Sequence, residues 1–498
     1  MPRPSTLAQV EIETGEKAER IEQPERDSPF HIAILGDFSG RENHGVLDAK
    51  LQGRKPILID RDNFDDVLGQ LAPELHLPLG GLDGPRIRIC FRELDDFHPD
   101  RIFERVKIFQ ALRETREQLL DPARFEAAAA EVRSWSAAQA LQAPAATPPP
   151  DISRLSASEL FEQTLSATEA RSSAASPKRA MDDFQALLRD IVAPYVEPKP
   201  DPQRPEFVAQ VDAAISGQMR ALLHHPDFQA LEAAWRAVFL LVRRLSTDEN
   251  LKVFLLDIAK PELAADMVAT YEHLIEHTPR DEPWAVLAGN YTFDATDEDA
   301  QLLGRVAALA RHASAPFLAA ASARVVGCGS FAETPEPRRW SPATADSWHA
   351  LRRLPQATWL GLALPRFLLR LPYGKQTSTA ENFAFEEFGA TPSHDHYLWG
   401  NAALACAYLL GEAFLESGWD LRPGEVAELS GLPVHTYRAD GESQLKPCAE
   451  ALLSEHAAAA ILDQGLMPLV SVKGSDAVRL VRFQSIAEPA RALSGRWS

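Results

Sequence analysis

Short apolar runs alternate along the chain with longer stretches in which apolar residues recur every third or fourth position. Runs such as "FHIAILG" at 30–36, "LKVFLLDI" at 251–258 and "WLGLALP" at 359–365 predict buried strands. Helical spacing of apolar residues over 226–245 and 299–313 predicts helices between such strands. Because buried strands that alternate with helices are typical of doubly wound sheets, the pattern predicts an α/β fold with a mostly parallel sheet.

Three further segments add detail near the two ends of the chain. "RIRICF" at 86–91 alternates apolar and polar residues, which predicts a strand with one buried face. Residues 100–120 carry a helical apolar stripe and are predicted to form one continuous helix. "LVSVKGSDAVRLVRF" at 469–483 predicts a β-hairpin around its glycine.

Composition divides the chain into four segments. Residues 1–28 are polar and are expected to be disordered, and residues 137–180 are expected to be a flexible linker rich in Ala, Ser and Pro. Within the linker, "APAATPPP" at 143–150 cannot hold a helix or a central strand, because proline lacks the backbone donor and fixes φ. We therefore expect one compact domain over 29–136 and a second over 181–498.

The charge balance and the cysteines limit the classes of protein to consider. The formal net charge of −20 argues against a nucleic-acid partner, which requires a surplus of Lys and Arg. No apolar run reaches the roughly 18–20 residues that a membrane-spanning helix needs, and no signal-peptide core is present at the start. The four cysteines are isolated from one another, which indicates a reducing compartment. We expect a cytoplasmic protein with no membrane insertion.

Two glycine-containing stretches raise the question of a nucleotide site. "GDFSGR" at 36–41 follows a predicted strand but lacks the P-loop sequence G-x-x-x-x-G-K-[ST]. "YGKQTST" at 373–379 contains the Gly-Lys pair, yet Gln376 stands where Ser or Thr would hold magnesium, and Leu369 replaces the upstream glycine. The nucleophile elbow G-x-S-x-G of many hydrolases is also missing from the sequence. We therefore expect neither a cofactor nor catalytic residues.

Two histidine pairs raise the question of a metal site. His394 and His396 are separated by one residue, and His224 directly precedes His225. A metal would need a third ligand from elsewhere, and no cluster of ligand residues accompanies either pair. The simpler interpretation is that the first pair consists of polar loop residues that cap a helix beginning near Leu398.

An apolar stretch at 364–374, "LPRFLLRLPYG", contains Arg366 and Arg370. A buried arginine requires an acidic partner, and Glu386 or Glu387 in the nearby "ENFAFEEF" can supply one. These four residues are therefore our candidates for structural ion pairs, with an anion-binding site as the alternative.

Longer strings within these segments resemble two families of the type VI secretion system joined end to end. Residues 29 to about 120 resemble the small sheath subunit TssB (VipA), and residues from about 205 onward resemble the large sheath subunit TssC (VipB). The first resemblance is carried by "PFHIAILGDFSGR", "ILIDRDNFDDVL" and "ICFRELDDFHPDRI". The second is carried by "LLHHPDFQALEAAWRAVFLLV", "WLGLALPRFLLRLPYG", "ENFAFEEF" and "HDHYLWGNAALACA".

The resemblance implies an intertwined α/β protomer of the two subunits that stacks into a contractile tube around an inner tube of Hcp. It further implies that exchanged strands link the protomers, that baseplate proteins are partners, and that the ATPase ClpV recycles the contracted sheath. The linker stretch "LSASELFEQTLSATEA" then becomes a candidate for pairing between protomers or for recognition by the unfoldase. Its apolar residues Leu155, Leu160 and Phe161 are the interaction candidates, and a plain tether is the alternative.

Two departures from the family pattern shape the functional hypothesis. The two subunits are normally separate chains, whereas this chain carries both. The resemblance ends near 466–489, where a usual large subunit continues with another domain, so we expect this domain to be missing. A protomer without it would lack part of the surface that propagates a helical array.

We therefore expect a fused TssB–TssC-like sheath protein with an accessory role as a sheath cap, initiator or length regulator. Its expected partners are TssB and TssC subunits or further copies of itself. A self-assembling minimal contractile sheath is the first alternative. A nucleotide- or metal-dependent regulator on a sheath-like fold is the second, because fold does not fix function.

Overall fold

The computed structural model describes residues 24–47, 54–78, 86–142, 204–265, 283–389, 392–439 and 441–497, together with the single residues 188, 267, 270 and 274. We refer to the described residues up to 142 as the N-terminal part and to those from 204 onward as the C-terminal part. The interaction candidates Leu155, Leu160 and Phe161 lie outside the described residues.

The apolar runs of the sequence form strands at the predicted places. The strands are β1 (Phe30–Gly36), β2 (Ile57–Ile59), β3 (Glu74–Pro78), β4 (Arg86–Cys90), β5 (Leu251–Asp257), β6 (Trp284–Phe293), β7 (Phe317–Ala321), β8 (Leu360–Leu364), β9 (Phe367–Leu368), β10 (Trp399–Gly400), β11 (Glu428–Leu429), β12 (His435–Ala439), β13 (Glu442–Lys446), β14 (Met467–Ser471) and β15 (Val478–Leu480).

Twelve α-helices lie between these strands in the described residues. They are α1 (Arg41–His44), α2 (Phe64–Leu71), α3 (Pro99–Arg105), α4 (Lys107–Leu120), α5 (Phe125–Gln142), α6 (Arg204–Leu223), α7 (Pro226–Arg244), α8 (Lys260–Ala265), α9 (Asp297–Ala313), α10 (Asp346–Arg352), α11 (Ala402–Ser417) and α12 (Glu455–Asp463). None of them combines the length and the apolar character that are needed to cross a membrane.

Nine strands form one sheet in the order β11-β15-β14-β8-β7-β6-β1-β5-β2. The six strands from β14 to β5 in this order all run parallel to one another. At one edge of the sheet, β2 pairs antiparallel with β5. At the other end, β15 pairs antiparallel with β14 to form a hairpin. The prediction of a mostly parallel α/β sheet is therefore confirmed, and so is the hairpin near 469–483.

Successive side chains of β1 point to opposite faces of the sheet and belong to two different hydrophobic clusters. Ile32 and Ile34 belong to one hydrophobic cluster, together with residues of α7 and α11. Ala33 and Leu35 belong to a second cluster, together with residues of α9. All four side chains are buried, so β1 is a central strand covered on both faces.

The stretch predicted as one helix over 100–120 is two helices, and that prediction was wrong. Val106 has extended backbone angles, with φ −83° and ψ 122°, and separates α3 from α4. Phe103 and Phe109 are both buried in the same cluster. In a continuous helix these positions would point roughly 120° apart, because each residue turns the helix by about 100°. The break at Val106 brings both side chains back to the same core.

Candidate functional site

Strand β1 joins the N-terminal part to the C-terminal part. On one side its residues pair in parallel with β5, from Phe30 opposite Leu251 to Gly36 opposite Asp257. On the other side it pairs in parallel with β6. The two parts therefore contribute to one sheet, and every residue of β1 is buried within it.

The loop after β1 is organised by the carboxylate of Asp37. This carboxylate accepts backbone N–H hydrogen bonds from Gly40 at 2.9 Å, Arg41 at 3.0 Å and Glu42 at 2.9 Å. Gly40 has φ +77°, and a Cβ at this position would lie 2.4 Å from the backbone oxygen of Glu74. Only glycine therefore fits this tight turn.

Asp257, the last residue of β5, holds the first half of the same loop from the C-terminal part. It accepts the backbone N–H groups of Phe38 at 2.8 Å and Ser39 at 3.3 Å, and the Ser39 hydroxyl at 2.8 Å. The guanidinium of Arg41 forms an ion pair with Asp257 and donates to Glu262 Oε2 at 2.8 Å. The sequence "GDFSGR" therefore binds carboxylates of its own protein.

A second arginine of the N-terminal part converges on the same acidic residue of the C-terminal part. Arg54 donates to both oxygens of Glu262, at 2.8 and 3.0 Å. Glu262 is only 2% exposed and also accepts the backbone N–H of Ala259 at 2.9 Å. A buried carboxylate with two arginine partners satisfies its hydrogen bonds entirely within the protein.

These contacts argue against phosphate binding by the loop after β1. A phosphate loop points free backbone N–H groups at its anion, whereas these N–H groups already donate to Asp37 and Asp257. Two carboxylates at the same place would also repel a phosphate group. Burial raises the pKa of Asp37, and the N–H donors of Arg41 and Glu42 work in the opposite direction.

The second glycine-containing stretch is also used internally. The backbone N–H of Lys375 donates to Glu386 Oε1 at 3.2 Å. The hydroxyl of Thr377 donates to the carbonyl oxygen of Pro372. The backbone N–H of the lysine and the nearby threonine hydroxyl are thus hydrogen-bonded to the protein itself.

Deeper in the C-terminal part, Arg370 lies between two buried carboxylates. Its Nε donates to Glu232 Oε1 at 2.8 Å, and its Nη1 donates to Glu387 Oε2 at 2.7 Å. Nη2 reaches the second oxygen of each carboxylate, at 3.3 and 3.1 Å, so both pairs are bidentate. Arg236 also donates to Glu232 at 2.7 Å and to the hydroxyl of Tyr373 at 3.0 Å. We call these five residues the arginine network.

Two guanidinium groups and two carboxylates balance each other in the arginine network. Burial alone would raise the pKa of Glu387, but the charge of Arg370, the nearby ring of His224 and hydrogen bonds from Arg370 and the Tyr373 N–H lower it to about 2. Burial raises the pKa of Tyr373 to about 12. The network is therefore fully charged at neutral pH, with the Tyr373 hydroxyl neutral.

The other two ion-pair candidates lie elsewhere. Arg366 has a side chain that is 45% exposed, and it pairs with Glu450 in place of Glu386 or Glu387. The segment from Arg366 to Arg370 contains the extended strand β9. The two arginines therefore bind different carboxylates.

The segment that supplies Glu387 also docks onto the N-terminal part. The backbone N–H groups of Glu381 and Asn382 donate to the carboxylate of Asp100, at 2.9 and 3.0 Å. The ring of Phe383 stacks on Phe103 with a centroid distance of 4.5 Å. Helix α3 is thereby tied to "ENFAFEEF" by polar and apolar contacts.

The histidine pairs meet in a way that the sequence does not predict. The rings of His224 and His396 stack with a centroid distance of 3.8 Å and an interplanar angle of 10°. The expected capping role is wrong, because the side chain of Asn401 caps α11 and accepts the backbone N–H of Ala403 at 2.9 Å. Within the described ranges, no group of three or more His, Cys, Asp or Glu side chains is placed to bind a metal ion.

Sequence reasoning missed Glu232 and Arg236 of the arginine network. Glu232 lies four residues after Phe228 and three before Trp235, in the middle of the apolar stripe of α7. A carboxylate at such a position is costly unless it is paired, and this was the available signal. Asp257 and Glu262 gave no comparable signal, because Asp257 ends a strand and Glu262 lies in the first turn of a helix, where an acidic residue is favourable.

Comparison with known proteins matches both parts to sheath families. The VipB family, described as a tail sheath N-terminal domain, matches residues 205–487, which is more than half of the 498 residues. The chain belongs to the VipB tail sheath family. The VipA family of the type VI secretion system matches residues 8–132. We therefore call the N-terminal part VipA-like and the C-terminal part VipB-like.

Two relatives from Pseudomonas aeruginosa strain PAO1 match the two parts separately. The type VI secretion system sheath protein TssC1 is 36% identical over 305 residues, which cover 57% of this chain and 61% of the relative. The sheath protein TssB1 is 30% identical over 122 residues, which cover 24% of this chain and 66% of the relative. The matched regions thus span somewhat less than two thirds of each relative. The predicted resemblance to fused TssB and TssC is confirmed.

Proposed function

We propose that this chain is a structural protomer of a type VI secretion sheath in which the small and large subunit portions fold as one unit. The observation that carries the proposal is β1, a strand of the VipA-like part that pairs on both sides with strands of the VipB-like part. A chain that carries both portions fixes their ratio at one to one.

The proposed role is mechanical and involves no catalysis. It is supported by the way charged groups are used in the described residues. Asp257 and Glu262 bind arginines across the joint, and Glu232 and Glu387 bind Arg370. Such paired groups fix the geometry of the fold, and they are not free to act as acid, base or nucleophile.

The proposed partners are TssB and TssC sheath subunits or further copies of this chain, in a cytoplasmic assembly. Contacts with the Hcp inner tube, with baseplate proteins and with the ClpV ATPase are proposed on the family resemblance alone. Leu155, Leu160 and Phe161 remain the proposed interaction residues of the linker.

Within this function we propose an accessory role as a cap, initiator or length regulator. It is supported by the edges of the nine-stranded sheet, where β2 has three residues and β11 has two. Short edge strands offer few free backbone groups for another chain to pair with. The sheet is therefore poorly suited to extension at its edges.

Negative-stain electron microscopy of the purified chain, alone and mixed with separate TssB and TssC subunits, tests this function. We expect discrete particles from the chain alone and, in the mixture, particles bound at sheath ends or a changed distribution of sheath lengths. Tubes from the chain alone would support a self-sufficient minimal sheath and contradict the accessory role. No association with sheath subunits and no tubes would contradict both.

A further inference from the structure

The turn formed by His394–His396 contacts the rest of the VipB-like part through an imidazole ring at each of its ends. It precedes β10 and lies between the end of α6 and strand β13. The ring of His396 stacks face to face on His224, which directly follows α6. The ring of His394 lies between Lys446 at the end of β13 and Glu450.

The contacts of His394 define which of its nitrogens carries the proton. Lys446 Nζ lies 2.9 Å from Nδ1, and a lysine ammonium can only donate, so Nδ1 accepts. Nε2, 3.2 Å from Glu450 Oε1, then donates to the carboxylate. Protonation of Nδ1 would remove the acceptor of Lys446 and place two cations in contact. Glu450 is already paired with Arg366 and offsets only one of these charges.

The stacked pair has few groups nearby that could compensate an added positive charge. The side chain of His224 is 10% exposed, and its Nε2 has no hydrogen-bond partner within the described residues. The nearest carboxylate oxygen, Glu387 Oε1, lies 3.5 Å from Nε2 and already accepts from Arg370. Two protonated rings at this separation would repel each other, with only Asp395 as a further carboxylate beside His396.

We propose that the His394–His396 turn is an acid-sensitive latch, docked on the end of α6 and on β13 while its histidines are neutral and released when they are protonated. Release would also break the hydrogen bond from Gln229 Nε2 to the carbonyl oxygen of Asp395, 3.2 Å long, which ties the turn to α7. The latch does not depend on sheath assembly.

The titration of His396 has the sign that the latch requires. Burial and the charge of His224 lower the pKa of His396 below its ordinary value of 6.5. The undocked turn therefore binds more protons than the docked turn. Docking is fully stable above about pH 6.5 and weakens as the pH falls below it. His435, on β12, also lies beside the turn, because its ring is hydrogen-bonded to the hydroxyl of Tyr397. Burial lowers the pKa of His435 as well.

Release of the turn would change a groove of about 750 Å³ between the loop at 371–377 and β12. Phe388 lines this groove, and its ring lies 6.5 Å from His396 and 4.7 Å from Tyr397. A displaced turn would remove the packing that holds Phe388 and alter the wall of the groove. Acid would thus reshape a surface on the outside of the VipB-like part.

Hydrogen exchange of the full chain, followed by mass spectrometry at pH 7.5 and 5.5 and corrected for the intrinsic pH dependence, tests the latch. In the wild type we expect the peptide that covers His394 to Gly400 to lose up to about tenfold of its protection at pH 5.5, the limit for one histidine whose pKa is lowered in the docked turn. Peptides of β1 should keep theirs. In the variant H394Q/H396F, glutamine can still accept from Lys446 and phenylalanine can still stack, so protection should be equal at the two pH values.

The variant H456Q, which removes an exposed histidine of α12, is the matched control and should behave like the wild type. Should the double variant not fold, H396F alone should show a smaller loss than the wild type. Unchanged protection of the turn in the wild type would overturn the latch. So would a loss that β1 shares, or one that H394Q/H396F or H396F retains in full.

Discussion

At the scale of single residues, the most informative group is Arg370. Its guanidinium is bidentate to both Glu232 and Glu387, and those two carboxylates are 0% and 1% exposed. Burial would lower the pKa of Arg370, but its two acidic partners raise it well above the ordinary value. Such a group contributes most through what its loss would leave behind, namely two buried carboxylates with only Arg236 nearby.

Replacement of Arg370 by methionine should therefore lower the free energy of unfolding by about 3–5 kcal/mol, because uncompensated charge would remain buried. The matched change Arg366→Met should cost no more than about 1 kcal/mol, since the Arg366 side chain is 45% exposed and Glu450 keeps a contact with His394. Urea denaturation of both variants measures the difference. Equal losses in the two variants would show that burial does not distinguish these pairs.

The residue scale also shows how far the sequence alone could go. The need of Arg370 for an acidic partner follows from its apolar neighbours, and Glu387 was one of two adjacent candidates. Whether Glu386 or Glu387 faces Arg370 depends on the backbone conformation of a segment without regular secondary structure. Sequence spacing does not determine that conformation. Glu232 lies 138 residues away from Arg370, so its participation depends on the tertiary fold.

At the scale of elements, α3 and the segment "ENFAFEEF" show how the two parts are held beyond the sheet. Asp100, in the first turn of α3, accepts two successive backbone N–H groups from the other part. Its carboxylate also lies near the N-terminus of its own helix, where negative charge is favourable. One side chain thus orders both a helix start and a docked segment.

Asp100→Ala should cost about 1–2 kcal/mol, because two backbone donors lose their acceptor. It should also make the chain near 381–383 more susceptible to limited proteolysis. Asp95→Ala removes an exposed carboxylate just before the same helix and is the control, with no expected change. Identical proteolysis of the two variants would mean that Asp100 does not hold the segment.

The individual strands and helices were easier to predict than the partners with which they pack. The apolar run at 30–36 identifies β1 without any tertiary information, because seven successive buried residues leave few other structures. Its partners β5 and β6 follow more than 200 residues later in the chain, and no local signal encodes that pairing. The break at Val106 was missed for a related reason, since only the shape of the shared core requires it.

At the scale of the whole molecule, the two sheath portions contribute strands to one sheet. Strand β1 has the VipB-like strands β5 and β6 on its two sides, and the loop after β1 is held by Asp257 and Glu262. The linker between the parts is thus not what holds them together. Joining them in one chain fixes the ratio and removes the step in which two chains must find each other.

Cleavage of the linker tests this account most directly. A specific protease site placed in the Pro-rich stretch at 143–150 would allow the folded protein to be cut into its VipA-like and VipB-like fragments, with the uncut protein carried through the same treatment as control. We predict that the two fragments elute together from a native size-exclusion column, at the position of the uncut protein, and separate only in denaturant. Fragments that separate under native conditions would contradict a protomer built around a shared β1.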